Sequence, residues 1–237
     1  MQNTTERNNL FRYSKYQAAT FIALLFHAIG LVGILFFNKE FFINTTGLNL
    51  LLMFALIMYT QQNKNLPFYI FIFIAFTLGI IVELIGTETG LLFGNYAYGK
   101  ALGPTIKNVP WVIGINWFMI IYCCGITMKT LLHKMMNAVS AENKISTPML
   151  KTISVIVDGA TLAVAFDWMM EPVAMKLGYW NWVSGDIVPM YNYVCWFVVS
   201  LLLLFIFHHL KFNKENKFAV HLLLIQAMFF LLLRTFL

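Results

Sequence analysis

Charge is what this sequence has least of. Only 11% of its 237 residues are Asp, Glu, Lys or Arg, while 60% are hydrophobic and the mean hydropathy is +0.74. Soluble domains are about a quarter charged, so a globular fold with a single anchor is excluded and a multi-pass membrane protein is indicated. Cysteine is also scarce: Cys123, Cys124 and Cys195 all fall in apolar runs. An adjacent pair is poorly placed for a disulfide and no spacing suggests zinc, so the three read as small buried hydrophobes. No HExxH or HxxxH pair occurs, which disfavours a histidine-metal oxygenase. An Asp-rich magnesium–diphosphate repeat is missing, against a membrane prenyltransferase, as are P-loop and dinucleotide fingerprints. The net charge of +6 is no nucleic-acid signal, because the basic residues stand between apolar runs, where they set topology.

What is present is a series of helix-length apolar segments. Seven are expected in one integral membrane domain over residues 1–237: Lys15–Phe37, Phe41–Thr60, Pro67–Ile85, Pro110–Leu132, Pro148–Met170, Asn192–Leu210 and Phe218–Leu237. The second is interrupted by Asn44, Thr45, Thr46 and Gly47. The first is too long for a signal-peptide core and is read as a retained helix. Arg7, Arg12, Lys15, Lys64, Lys129, Lys134, Lys144, Lys151, Lys211, Lys214 and Lys217 fall on one side, against Lys39, Lys100, Lys107, Lys176 and Arg234 on the other. That bias puts the N-terminus in the cytoplasm and the C-terminus outside.

The acids follow a different logic. Glu83, Glu88, Asp167, Glu171 and Asp186 collect at the outer ends of the third and fifth helices or in the loops that leave them, and Asp158 lies deeper. Loop solvation explains Glu40 and Asp186. It fails for Glu83, Asp158 and Asp167, whose neighbours are apolar, and an ionisable group inside a membrane segment marks function by default. Asp167 and Glu171 are four apart and share a helix face. Pro172 is expected to end that helix. Asp158, nine residues before Asp167, points to the opposite side of a straight helix. Either Gly159 bends the helix or Asp158 serves another contact.

Glu83–Phe118 also resembles Asp167–Phe197. Each begins with an acid at a helix end and has a second acid soon after, Glu88 or Glu171. Each continues with a glycine and paired aromatics, Gly94 with Tyr96 and Tyr98, or Gly178 with Trp180 and Trp182. Each closes on Val-Pro and a Trp-Phe seven residues past the proline, at Pro110 with Trp117 and at Pro189 with Trp196. The ordered set indicates a parallel helix-loop-helix repeat, with units at about 67–132 and 148–210, and a site between the copies gathering acids from both. The aromatics have two readings, an interfacial belt or the wall of a pocket whose π faces stabilise a cation. Asn116 and Asn192 are placed to orient a water or satisfy a buried group. His27 is expected to be hydrogen-bonded within the bundle.

The stretches ELIGTETGLLFGNYAY, the Val-Pro with Trp117, DWMMEPVA, GYWNW, and VPMYN with Trp196 resemble the bacterial and archaeal carotenoid-biosynthesis membrane proteins that include γ-carotene 1′,2′-hydratase and bisanhydrobacterioruberin hydratase. The resemblance covers Glu83 to Trp196. The chain departs from the family where Asp186, Ile187 and Val188 replace a Tyr-Gly pair and where Cys195 replaces a glycine. The resemblance implies an all-α membrane bundle and a catalytic set of Glu83, Asp158, Asp167 and Glu171. It implies substrate contacts from Trp180, Trp182 and Asn192, and Tyr96, Tyr98, Trp117 and Trp196 are further expected substrate contacts.

The implied reaction adds water to the terminal double bond of an acyclic carotenoid end group. A carboxylic acid that keeps its proton near neutral pH delivers it to one carbon, a tertiary carbocation forms at the other, and a second carboxylate takes a proton from the attacking water. Asp167 or Glu83 is the expected acid, with Glu171 or Asp158 orienting water. No redox cofactor or metal is needed. The implied partners are a carotenoid such as γ-carotene or lycopene, membrane lipid, and other enzymes of carotenoid biosynthesis, in a prokaryotic cytoplasmic membrane. The rival readings are a carotenoid end-group cyclase, which captures the same cation with an internal double bond, and a non-catalytic proton-coupled transporter.

Overall fold

The computed structural model describes residues 3–139, 148–183, 185 and 187–237, and the side chains of these except 3–14, 137–139, 148, 150 and 151. Asp186 and Lys144 lie outside the described residues, as do the side chains of Arg7, Arg12 and Lys151. The helices are α1 (Asn3–Phe36), α2 (Lys39–Asn44), α3 (Thr46–Thr60), α4 (Leu66–Thr89), α5 (Val112–Val139), α6 (Pro148–Lys176), α7 (Met190–His209) and α8 (Lys217–Phe236). Segments of α1 and of α4 to α8 are long and apolar enough to cross a membrane, so the chain is an all-α, multi-pass integral membrane protein. The second expected helix is in two pieces, interrupted at Thr45. The hydroxyls of Thr45 and Thr46 both donate back to the Phe42 carbonyl, at 3.0 and 3.3 Å, and such bonds compete with the helix's own ladder. At 15 residues, α3 falls short of the ~20 that span the hydrocarbon.

The axis of the bundle is α5. In its most apolar stretch 78% of residues are buried, against 28–39% in the other five long helices. Glycines set how closely its neighbours approach. A Cβ on Gly79 of α4 would come within 2.7 Å of the Trp117 side chain of α5, and one on Gly125 of α5 within 2.7 Å of Phe207 of α7. Gly159 of α6 faces Leu204 of α7 at 3.0 Å; it serves helix packing and does not turn Asp158 toward Asp167. His27 Nδ1–H donates to Ala23 O of its own helix (2.7 Å), and the ring packs edge-on against Phe229 of α8.

Four short strands lie at one end of the bundle: β1 (Tyr96–Tyr98), β2 (Thr105–Ile106), β3 (Val109–Pro110) and β4 (Trp180–Trp182). β2 and β3 form a hairpin whose turn residues, Lys107 and Asn108, both have positive φ, the geometry that matches strand twist. β1 pairs antiparallel with β4, Tyr96 opposite Trp182 and Tyr98 opposite Trp180. This ribbon ties the α4–α5 loop to the α6–α7 loop.

The expected stop at Pro172 is corrected by the structure: α6 runs on to Lys176 with Pro172 inside it. Proline has no N–H to offer the carbonyl four residues back, here that of Trp168. Arg234, in the last turn of α8, donates its guanidinium to Trp168 O at 3.1 Å and lies 3.9 Å from the centre of the Trp168 ring. The arginine fills the vacancy the proline leaves. Arg234→Ala is therefore expected to cost about 1 kcal/mol, read as a lower thermal-unfolding midpoint in detergent. Adding Pro172→Ala, which restores the N–H, should recover part of that loss.

Candidate active site

Three carboxylates from two helices converge beneath the β1–β4 ribbon. Glu83 comes from α4, and Asp167 and Glu171 from one face of α6; all three are buried, Asp167 completely. Glu83 is held by three donors. Its Oε2 accepts the hydroxyls of Tyr96 (2.5 Å) and Tyr98 (2.7 Å), and its Oε1 accepts Trp117 Nε1–H (2.9 Å). Burial, with the Glu83 charge beside them, pushes both phenols well above their ordinary pKa, so they keep their protons and donate. Glu171 Oε2 accepts two indole N–H groups, Trp180 at 2.9 Å and Trp182 at 3.0 Å. The Asn192 amide donates to Asp167 Oδ2 at 2.8 Å and, more weakly, to Glu171 Oε1 at 3.4 Å. Asp167 Oδ1 is buried with no hydrogen-bond partner.

Local sequence explains the grip. Tyr96 and Tyr98, like Trp180 and Trp182, are two apart, and a strand turns residues i and i+2 to one face. Ala97 and Asn181 between them point outward. The rings therefore face the acids and not lipid, which decides between pocket wall and interfacial belt. Behind them Trp117 and Trp196 stack at 4.0 Å with 15° between planes.

All these groups line one cavity of about 30 Å3, together with Phe93, Ile113, Asn116 and Met170. A single water needs roughly 10–15 Å3, so there is room for one or two. Asp167 Oδ1 is the orphaned polar atom such a water would satisfy. No lysine or arginine lines the cavity, so nothing there neutralises three carboxylates. Enclosing like charges without a counter-ion is costly, and the arrangement suits a site that keeps a proton in hand.

Of the residues expected from the sequence, Glu83, Asp167, Glu171, Tyr96, Tyr98, Trp117, Trp180, Trp182, Asn192 and Trp196 are brought together here. Asp158 is not. It sits on the exposed side of α6, six residues into the span that begins at Thr152 and so about 9 Å along it, where its carboxylate accepts the Ser154 hydroxyl. The pairing of acids also differs. Glu88, set against Glu171 in the sequence repeat, forms a surface ion pair with Lys107 at 3.4 Å. In space the counterpart of Glu171 is Glu83, each gripped by two aromatic donors from one strand. Sequence reasoning missed Phe93, Ile113 and Met170 as wall residues. Phe93 has φ +64 and donates its amide to Cys195 Sγ at 3.3 Å. A positive φ on a phenylalanine leaves no mark in sequence.

Fold and cavity together define an integral membrane protein with an enclosed acid site near one end of its helices. The chain belongs to the carotenoid biosynthesis protein family, whose model matches residues 44–237. It is also similar to the bisanhydrobacterioruberin hydratase of Haloarcula japonica, 25% identical over 118 residues. That match takes in 48% of this chain and 36% of the relative, so the chain spans well under half of the relative's length in the aligned region. No solved structure matches the chain.

Removing the phenol donors tests the grip on Glu83. Tyr96→Phe with Tyr98→Phe leaves Glu83 Oε2 without a donor, and each lost bond is expected to cost about 1–3 kcal/mol, read by thermal unfolding. In that background Glu83→Gln should regain stability, since its amide oxygen still accepts from Trp117 and the buried carboxylate at that position is gone. An additive result across the three substitutions would contradict the coupling.

Proposed function

We propose that the chain is a carotenoid hydratase that adds water across the terminal C1–C2 double bond of an acyclic end group. The observation that carries this reading is the pairing of an Asp167 oxygen that has no partner among the described residues with a cavity for one or two waters lined largely by aromatic side chains. Family membership and the similarity to a named hydratase support it.

In this reading Asp167 is the acid. Its Oδ1 is the one carboxylate oxygen in the cluster that is free to carry a proton into the cavity, since Oδ2 accepts from Asn192. The proton passes to C2, the π electrons forming the new C–H bond, and the positive charge is left on the tertiary C1. The faces of Trp117, Trp196, Tyr96 and Trp182 and the charge of Glu83 stabilise that cation. Glu83 accepts three hydrogen bonds, which suits a fixed negative charge and not a proton donor. Water attacks C1, and Glu171, with Oε1 toward Asn192, takes its proton. Asn192 touches both Asp167 and Glu171 and holds them in register while the proton returns to Asp167. The sum is alkene plus water to tertiary alcohol, with no electron transfer.

The end group must displace packed side chains to enter. A cavity of about 30 Å3 is far below the order of 150 Å3 that holds a ligand the size of benzene. The two related halves at about 67–132 and 148–210 give this proposal its symmetry, each supplying one gripped glutamate and one tryptophan of the stacked pair.

Expression in a host that accumulates γ-carotene or lycopene, followed by chromatography and mass spectrometry, tests the reading. The product should gain the mass of one water. Asp167→Asn and Glu171→Gln should each lower conversion by about 10²–10⁴-fold, while Asp158→Asn, outside the cavity, should convert as the parent does. A product of unchanged mass would mean cyclisation, and unaltered pigment with proton-driven uptake into vesicles would mean transport.

A further inference from the structure

The opposite end of the bundle carries a second and much larger cavity, of about 750 Å3. Lys129 and Lys134 of α5 line it, with Lys214 from the α7–α8 loop and Lys217 at the start of α8; His133 and His221 add two more nitrogen donors. Glu215 is the one acid among the lining residues. Topology signals require lysines at this end, but they do not require four of them to face one concavity. Nor do they require any to give up water. Lys214 has done so. Its ammonium donates to Leu210 O at 2.5 Å and His208 O at 3.2 Å and lies 4.7 Å from the centre of the Phe212 ring. Burial, with the charge of Lys129 beside it, lowers its pKa to about 8. Among the described residues, no carboxylate lies within salt-bridge distance of Lys129, Lys134 or Lys214. Like charges held together without a counter-ion are an unmet electrostatic demand.

The concavity is also pre-built. Asn216, whose backbone leads into α8, donates its amide to Thr60 Oγ1 (3.1 Å) and Tyr122 OH (3.2 Å). Tyr122 in turn donates to Gln61, and the Gln61 amide donates to Asn213 O at 2.7 Å. This buried network staples the α7–α8 loop to the end of α3 and to the middle of α5. The first turn of α8 opens at the cavity, its Phe218 amide capped by Asn216 Oδ1 at 3.1 Å, and the helix dipole adds partial positive charge there.

We propose that this basic cavity binds a phosphate group, taken either from the headgroup of an anionic phospholipid or from a soluble phosphate or diphosphate. A singly charged carboxylate would leave Lys129, Lys134 and Lys214 largely uncompensated, whereas a phosphate ester or diphosphate offers several oxygens and more than one charge. Lysines meet phosphate as mobile point charges; Lys134, two residues before the span of α5 ends at Met136, and Lys217, at the start of α8, lie at headgroup level, and Lys129 reaches the cavity from deeper in α5.

The test uses the full chain, purified in detergent. In one arm, native mass spectrometry compares retention of phosphatidylglycerol and phosphatidylcholine. In the other, calorimetry titrates inorganic pyrophosphate into the protein in phosphatidylcholine nanodiscs. Lys129→Gln with Lys134→Gln is expected to weaken binding roughly thirtyfold, a factor of about five for each lysine. Lys129→Arg with Lys134→Arg, folded by the same thermal-unfolding criterion, should restore it. Preferential phosphatidylglycerol retention assigns the ligand to lipid, and pyrophosphate binding assigns it to a soluble anion. Failure of both arms, or binding by the glutamine variant equal to the parent, overturns the proposal.

Discussion

Three carboxylates held away from water within a helical membrane bundle must find hydrogen-bond donors inside the protein, and here most of the donors are aromatic. Tyr96, Tyr98 and Trp117 hold Glu83, and Trp180 and Trp182 hold Glu171. Choosing indoles and phenols over lysine or arginine has a chemical consequence. The acids are hydrogen-bonded, but among the described residues no lysine or arginine lines their cavity, and the rings that donate to them also line it. A cationic partner would have neutralised the acids.

Much of the remaining structure serves that arrangement. The donors are aimed correctly because β1 and β4 pair antiparallel, which joins the loops of the two helix pairs into one roof. Trp117 reaches Glu83 because Gly79 lets α4 and α5 come close at that level. Asp167 and Glu171 stay on one face of α6 because they are four residues apart in it; the helix runs on through Pro172, and Arg234 of α8 donates to the Trp168 carbonyl that the proline cannot serve.

The two ends of the bundle are electrostatic opposites. The acid end holds a small cavity, with room for a water or two, and its carboxylates are bonded almost to saturation. The basic end holds a much larger one, and several of its cations have no carboxylate partner among the described residues. A large basic concavity suits a charged group that arrives with its own hydration.

Sequence alone determined the class of protein and nearly all of the acid site. Apolar length located six of the seven expected spans, with ends off by up to about six residues, because a span must cover the hydrocarbon; the expected second span is two short helices. Glu83, Asp167 and Glu171 stood out because a charge in such a segment needs a reason. Tyr-x-Tyr and Trp-x-Trp already contain the strand period that turns both rings one way. Only the tertiary structure decided which acids meet. The phase of α6 put Asp158 on the outside, long-range pairing made Glu83 and not Glu88 the counterpart of Glu171, and the wall residues Phe93, Ile113 and Met170 were chosen by packing. Local pattern records which face of its own element a residue occupies. Which other element that face meets depends on contacts between distant segments, and those leave no periodicity to read.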